Sequence, residues 1–240
     1  MGPQTVSDHK PAFYAPTGSG WGDFVSLLHI PYTLWHLSYV PIGAALSPVV
    51  DWRILTGTLL AFAIGLGIGA HALDELKSRP LKTGFSDVAL RVMGFGAMAA
   101  TILIAVVGAF EVSPWVLAWA ATGVLLAVGY AFEWPIVHTD IGFAISWGAF
   151  PAVVGYWAQT RAISISILIV AVAATILSLA QRALSTPARF VRRQTSESVV
   201  NFDSGRRWSR AELLATWEIP LRLLTWTTVA IAIGLLATHL

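Results

Sequence analysis

The chain contains no cysteine and few charged residues. Of its 240 residues, 12% are charged and 56% are apolar, and the mean hydropathy is +0.69. The absence of cysteine excludes a disulfide framework, a thiolate metal site and a cysteine nucleophile. Soluble domains carry charge on about a quarter of their residues. This composition therefore excludes an ordinary soluble fold and predicts an integral membrane protein.

Long apolar segments recur along the whole chain, each near the ~20 residues that a helix needs to cross a ~30 Å hydrocarbon core. The pattern predicts an all-α, polytopic transmembrane bundle with spans near residues 30–50, 54–77, 88–110, 114–133, 140–160, 163–185 and 212–238. We expect a polar N-terminal arm over residues 1–29 and a transmembrane domain over 30–240. A basic connection is expected at 187–210.

Lysine and arginine are distributed unevenly between the two ends of these seven predicted spans. Twelve fall in the N-terminal arm or in the connections after the second, fourth and sixth spans, whereas only Arg53 and Arg161 fall on the opposite side. Basic residues accumulate on the cytoplasmic side of membrane proteins. We therefore expect the N-terminus and the basic loops to be cytoplasmic, with the lipid bilayer as a partner and no nucleic acid.

Ionisable side chains gather at the predicted cytoplasmic ends of the spans, where such residues indicate function. The stretch HALDELKSRP, residues 71–80, closes the second span. Within it, His71, Asp74 and Glu75 share one helix face, because they are spaced i, i+3 and i+4. The other members of the predicted cluster come from the first, fourth and fifth spans: His36, Glu133, His138 and Asp140.

This set of side chains predicts a divalent metal site. Carboxylates beside a basic loop favour Mg²⁺ bridging a phosphate, whereas the histidines favour Zn, Fe or Mn. Structural interpretations remain open for each residue. Asp74 and Glu75 suit a solvated helix end, His36 suits a bond to a helix carbonyl, and Thr139 or Asp140 suits the N-cap of the fifth span.

Two stretches resemble the UbiA superfamily of intramembrane prenyltransferases. IPYTLWHLSYVPIGAALSP, residues 30–48, resembles the opening helix of that family, and YAFEWPIVHTDIGFAISWGAFPAVVGYWAQT, residues 130–160, resembles its central segment. The residues that fit the family frame are Tyr130, Asp140, Gly148, Pro151, Gly155, Tyr156, Gln159 and Thr160. The resemblance covers roughly residues 25 to 190. It implies an isoprenyl diphosphate substrate, bound through Mg²⁺ on two aspartate-rich motifs at the cytoplasmic ends of the second and sixth helices.

The chain departs from the family pattern at both motifs. The first, Asn-Asp-x-x-Asp, falls on residues 71–75, where His71 replaces the asparagine, Ala72 the first aspartate and Glu75 the last. The second falls on LAQRALSTPARFVRRQ, residues 179–194, which contains no carboxylate. The chain also has seven predicted spans rather than nine. Arginines near the missing motif are expected to take part of its role, because arginine binds phosphate bidentately.

Three functions follow as hypotheses. The first is a metal-assisted membrane enzyme that acts on a prenyl diphosphate by prenyl transfer or terpene cyclisation, with His71, Asp74, Glu75 and Asp140 as catalytic residues. Its expected substrate-binding residues are Arg79, Lys82, Tyr130, Arg182, Arg189, Arg192 and Arg193. The second is a Zn-, Fe- or Mn-dependent hydrolase or oxidase of a lipid-like substrate. The third is a non-catalytic lipid- or pigment-binding subunit of a membrane complex.

Overall fold

The computed structural model describes residues 12–15, 20–194, 199–201 and 203–240, and it is almost entirely helical. The elements in chain order are α1 (Trp21–Leu27), α2 (Ile30–Ala44), α3 (Trp52–Phe62), the π-helical segment π1 (Ala63–Ala70), α4 (His71–Ser78), α5 (Asp87–Glu111), α6 (Trp115–Ala131), α7 (Asp140–Ala144), the second π-helical segment π2 (Ile145–Ala149), α8 (Phe150–Thr160), α9 (Ile165–Gln194), β1 (Val199–Asn201), β2 (Arg207–Ser209) and α10 (Arg210–Ala237). The two short strands pair antiparallel.

Five helical segments in the described chain are long and apolar enough to cross a membrane. They are Trp52–Ser78, Asp87–Glu111, Asp140–Thr160, Ile165–Gln194 and Arg210–Ala237. Helix α6 is apolar but has 17 residues, and α2 has 15. The all-α class is therefore confirmed, and the long apolar helices indicate an integral membrane protein. The number of spans and the cytoplasmic position of the N-terminus stay predictions.

The first predicted span is shorter than expected. Helix α2 ends at Ala44 rather than near residue 50. The hydroxyl of Ser47 donates to the carbonyl oxygens of Ala44 and Val49, at 2.7 Å in each case. Pro48 follows and has no backbone N–H, so the chain turns here instead of continuing the helix.

The sixth predicted span is longer than expected, because α9 continues to Gln194 and takes up part of the predicted connection at 187–210. It continues through Pro187, although proline removes one helical hydrogen bond. Beyond the proline, Ala188 and Val191 are buried against Leu214 of α10. This apolar contact stabilises the last turns and holds the arginines of α9 on the bundle.

The predicted N-terminal arm is partly folded. Its residues 1–11 and 16–19 lie outside the described chain. Residues Trp21–Leu27 form α1, and Ala12 and Ala15 are buried against the bundle. The arm therefore contributes to the packed structure at the end where the ionisable side chains were predicted to gather.

The helices pack around two main apolar cores. One lies between α2, α8, α9 and α10, and Trp35, Tyr39 and Leu221 are among its buried side chains. The other lies between π1, α5, α6 and π2, around Leu66 and Trp147. Both cores extend toward the end of the bundle that carries α4 and the C-terminal half of α9.

Helices α2 and α8 approach so closely that glycine is required on both. A Cβ atom at Gly43 would lie 1.9 Å from the carbonyl oxygen of Ala152, and one at Gly155 would lie 2.1 Å from that of Val40. Small residues allow such backbone contact between membrane helices. Gly43 and Gly155 are called the glycine seam below.

We predict that Gly43→Ala destabilises the protein by about 1–3 kcal/mol or more, because overpacking a tight contact costs this amount. Gly234→Ala is the matched control, since a Cβ there meets nothing within 4 Å. The control substitution should leave the unfolding temperature unchanged or raise it, because alanine favours a helix more than glycine does. Thermal unfolding of the two purified variants in detergent measures the difference. Equal unfolding temperatures would show that the seam does not exist in solution.

Candidate functional site

Three of the predicted histidines are oriented in the same way. His36 Nδ1 lies 2.9 Å from the carbonyl oxygen of Trp147, His71 Nδ1 3.1 Å from that of Gly67, and His138 Nδ1 2.9 Å from that of Tyr130. A carbonyl only accepts, so each Nδ1 carries the proton and donates it. This arrangement fixes the ring and leaves Nε2 of each neutral histidine as an acceptor or ligand atom.

Two of the acceptor carbonyls belong to the π-helical segments. Gly67 lies in π1 and Trp147 in π2, and both segments contact α2 and α6. A π-helical turn departs from the i→i−4 pattern and often occurs at functional sites. Each turn therefore exposes a carbonyl that a histidine side chain can reach. The sequence contains the glycine-rich run at 63–70 but does not predict its π geometry.

The structure adds a fourth histidine, His29, which the sequence argument did not include. Its ring stacks on that of His71, with centroids 4.3 Å apart and an angle of 13° between the planes. The hydroxyl of Tyr14 lies 2.9 Å from His29 Nδ1, within hydrogen-bond distance. The sequence contains one indication of this role. His29 lies directly before the first predicted span, on the same predicted cytoplasmic side as His71.

The N-terminal residues 12–15 cover this part of the site. Tyr14 contacts the rings of His29 and Tyr32, and Phe13 makes an edge contact with Tyr32 and lies under the guanidinium of Arg222, 4.7 Å from the ring centroid. Between this segment and α9 a pocket of about 10 Å³ remains. That space is no more than one water molecule needs. A larger ligand must therefore displace the segment.

Burial lowers the pKa of His29 well below its usual value, and the nearby His71, Arg189 and Arg193 act in the same direction. Burial also raises the pKa of the Tyr14 hydroxyl above its usual range, which keeps this group protonated. At neutral pH the pair is therefore an uncharged tyrosine hydrogen-bonded to an uncharged histidine.

This depressed pKa predicts that acid destabilises the protein. Below about pH 6.5 the unfolded chain binds a proton at His29 that the folded chain does not, so the free energy of unfolding falls with decreasing pH by up to about 1.4 kcal/mol per pH unit. His29→Gln should reduce this dependence between pH 7.5 and 5 in thermal unfolding experiments. His239→Gln, at the C-terminus, should retain it. An unchanged pH profile in His29→Gln would contradict the prediction.

Glu75 does not share the surroundings of His71 and Asp74. Its side chain is fully buried, and its two carboxylate oxygens accept hydrogen bonds from the loop after α4. Oε2 accepts from the N–H of Leu81 at 2.9 Å, and Oε1 accepts from the N–H of Thr83 at 2.7 Å and from its hydroxyl at 3.0 Å. These contacts give Glu75 a structural role in the 79–83 loop.

The predicted residues of α7 and α9 form a separate network. Arg182 Nε donates to Asp140 Oδ1 at 2.8 Å, and its Nη1 donates to the Tyr130 hydroxyl at 2.7 Å. The same guanidinium lies 5.2 Å from the ring centroid of Phe143. Thr139 is the N-cap of α7, which is one of the two caps expected from the sequence. Asp140 is therefore an ion-pair partner of Arg182.

Three of the six predicted basic residues, Arg79, Arg182 and Arg192, already have structural partners. Arg79 donates to the carbonyl oxygen of Phe85 at 2.7 Å and pairs with Asp87. Arg192 forms a two-point ion pair with the buried Glu218 of α10. The remaining predicted residues on exposed loops are Lys82 and Glu133, both with positive φ.

Arg189 and Arg193 differ from these residues, since neither forms a salt bridge with the described part of the chain. Both guanidinium groups interact electrostatically with Tyr14, His29, Tyr32 and Asp74. Asp74 in turn accepts no side-chain hydrogen bond from a described residue, and it interacts electrostatically with His138. The two arginines and Asp74 are thus charged groups that interact with one another and form no salt bridge with a described residue.

The donor atoms do not fit the predicted metal centre well. Glu75 is engaged with its loop and Asp140 with Arg182, which leaves Asp74 and the exposed Glu133 as the carboxylates of the predicted set without a described partner. Over residues 12–15, 20–194, 199–201 and 203–240, no three His, Asp or Glu side chains lie together as a ligand group. The divalent metal, whether Mg, Mn, Zn or Fe, stays a prediction.

Gln181 is a further residue that the sequence argument did not identify. It lies on α9 beside Arg182 and is 2% exposed. Its Oε1 has no hydrogen-bond partner among the described residues. Buried polar atoms are nearly always paired, so Gln181 is a candidate contact for a ligand or a bound water.

Comparison of this chain with protein-family models, with curated proteins and with solved structures finds no match. The UbiA resemblance therefore stays an interpretation of the sequence, and the function rests on the arrangement of these side chains.

Proposed function

We propose that the protein is a membrane enzyme that acts on an isoprenoid diphosphate, and that Arg189 and Arg193 bind the diphosphate. The observation that carries the proposal is the presence of these two arginines, without salt-bridge partners in the described chain, at the end of a bundle of apolar helices. Arginine binds phosphate oxygens through two parallel hydrogen bonds. The apolar helices provide the surroundings that a prenyl chain requires.

The neighbouring side chains suit the same ligand. Tyr32 lies beside both arginines and offers a hydroxyl donor to the phosphate oxygens. Binding of the diphosphate displaces the Tyr14 side chain, because the space between residues 12–15 and α9 is otherwise filled. Asp74 remains close to the bound group and limits the positive charge of the empty site.

In the reaction, the bond between the prenyl C1 atom and the diphosphate oxygen breaks, and its electron pair leaves with the diphosphate. Arg189 and Arg193 stabilise this developing negative charge, as preorganised cations do in other active sites. The allylic cation is then captured by an acceptor or by one of its own double bonds, and the resulting cation loses a proton to the released diphosphate or to water. The proposal also includes the seven membrane spans and the UbiA-like fold that were predicted from the sequence.

The test is the release of diphosphate from labelled farnesyl and geranylgeranyl diphosphates by the purified full-length protein. Assays with Mg²⁺, with Mn²⁺ and with a chelator separate metal-assisted from metal-independent turnover. Release that depends on Arg189 supports the proposal. Absence of release at every chain length would overturn the enzymatic function.

A non-catalytic lipid- or pigment-binding protein is the second candidate. It is favoured by the engagement of Glu75 and Asp140 in structural contacts, which leaves few groups for chemistry. Saturable binding of the prenyl diphosphate without any release would support this function. The third hypothesis, a Zn, Fe or Mn hydrolase or oxidase, requires stoichiometric metal in the purified protein that is lost in His71→Ala.

A further inference from the structure

A large apolar cavity lies away from the arginine site. It has a volume of about 530 Å³, is partly open at the surface, and is lined by residues of α3, π1, α5, α6, π2 and α8. Protein interiors are close-packed, and voids much larger than a water molecule are few. Apolar cavities do not hold water stably and instead bind apolar molecules. A cavity of this size is therefore a site for an apolar molecule.

The cavity results from the choice of residues on its walls. One side is lined by small residues from three helices: Gly57, Ala61, Gly65, Ala105, Gly108, Ala120, Gly123 and Ala127. The lining also includes connected aromatic rings, with centroids 5.7 Å apart for Trp119 and Trp157 and 6.0 Å apart for Trp119 and Phe150. Flat unsaturated groups make broad contact with such ring faces.

The rim of the cavity carries opposite charges that cancel. Arg53 and Glu111, which both line the cavity, form an exposed ion pair with each other. Arg161 Nε donates to the carbonyl oxygen of Val112 at 2.8 Å beside it. The pair has no net charge, and the neighbouring Arg161 and Asp51 add one charge of each sign, because the Asp51 carboxylate accepts from the N–H of Arg53 at the same end. The rim suits a neutral polar head group rather than a diphosphate.

The cavity and the arginine site lie at opposite ends of the same helices. Arg53 begins the Trp52–Ser78 segment, and Asp74 lies near its end. A packed layer that includes Leu66, Met98 and Trp147 forms the inner wall of the cavity and also contacts Tyr130 of the polar network. The two places are therefore separate sites.

We propose that this cavity binds a neutral isoprenoid lipid, with its chain against the aromatic wall and its uncharged polar head at the Arg53–Glu111 rim. The unsaturated, branched chain matches the ring faces, and the neutral head matches the balanced charges. The site is independent of the diphosphate site and does not require the enzymatic function.

The test is equilibrium binding of tritiated geranylgeraniol to the full-length protein in detergent. Wild-type protein should bind it saturably, and unlabelled geranylgeraniol should displace it far better than stearyl alcohol. Gly57→Leu should lose this binding, because a Cβ at Gly57 enters open space and the side chain fills the cavity. Gly96→Leu is the matched control, since its Cβ also meets nothing within 4 Å but it does not line the cavity.

Other results would overturn the proposal. If Gly57→Leu bound geranylgeraniol as well as the wild-type protein does, the lipid would lie elsewhere. If stearyl alcohol displaced it as well as unlabelled geranylgeraniol does, any lipid chain would fill the cavity. Arg189→Ala should leave geranylgeraniol binding unchanged, and a loss in this variant would show that the two sites are one. Failure of the diphosphate assay alone leaves the lipid site standing, so the two proposals fail separately.

Discussion

Arg189→Ala should weaken the binding of geranylgeranyl diphosphate by at least about tenfold, because a hydrogen bond to a charged group contributes about 1.5–3 kcal/mol and 1.4 kcal/mol is a factor of ten. Arg189 is half-buried on α9, and its charge acts on Tyr14, His29 and Tyr32. Equilibrium binding of geranylgeranyl diphosphate measures this loss. The rate of diphosphate release should fall in the same variant.

The matched control for this variant is Arg207→Ala. Arg207 is exposed on β2 and carries the same charge outside the site. Because the control removes one positive charge from the same chain, it corrects for a general electrostatic effect on an anionic ligand. Equal weakening in both variants would contradict a specific diphosphate site at Arg189. Arg193→Ala should resemble Arg189→Ala.

Glu75→Ala should lower the free energy of unfolding by about 2–6 kcal/mol, because it leaves two buried N–H groups without an acceptor and each costs about 1–3 kcal/mol. These groups are the N–H of Leu81 and the N–H of Thr83, which both donate hydrogen bonds to the buried carboxylate of Glu75. Glu75→Gln should lose less stability, because the amide oxygen still accepts one of the two. Denaturant unfolding in detergent measures both variants.

Glu133→Ala is the control for Glu75, since Glu133 is exposed and was predicted as a member of the same metal set. Exposed substitutions usually change stability by no more than about 0.5 kcal/mol. A Glu75→Gln variant that keeps full stability and loses diphosphate release would contradict the structural role. It would instead support the sequence-based prediction that this carboxylate acts in the chemistry.

The contrast between Glu75 and Asp74 shows what sequence spacing can predict. The spacing i, i+3 and i+4 correctly predicts a helix that carries His71, Asp74 and Glu75 at one end of a long apolar segment. It does not predict that the chain turns back after Arg79, where φ is positive, and brings two backbone N–H groups onto Glu75. That contact depends on the path of a loop, which the helical pattern does not contain.

The arginines of α9 show the same limit. Arg189 and Arg192 are equivalent in the sequence, as basic residues near the missing aspartate-rich motif. In the structure Arg192 is paired with Glu218, a residue of α10 that is distant in the chain, and Arg189 is not. The helical segments, and the presence of polar groups at one end, follow from local patterns. Which charged groups remain available depends on contacts between distant segments.

The glycine seam between α2 and α8 has a consequence for how lipids reach the interior. Because the two backbones are in direct contact along Gly43 and Gly155, we expect no lateral gate between these helices. Helices α5 and α6 line the apolar cavity and present many exposed apolar side chains, including Leu103, Val107 and Phe110. Exchange with the bilayer is therefore expected on the α5–α6 side of the protein.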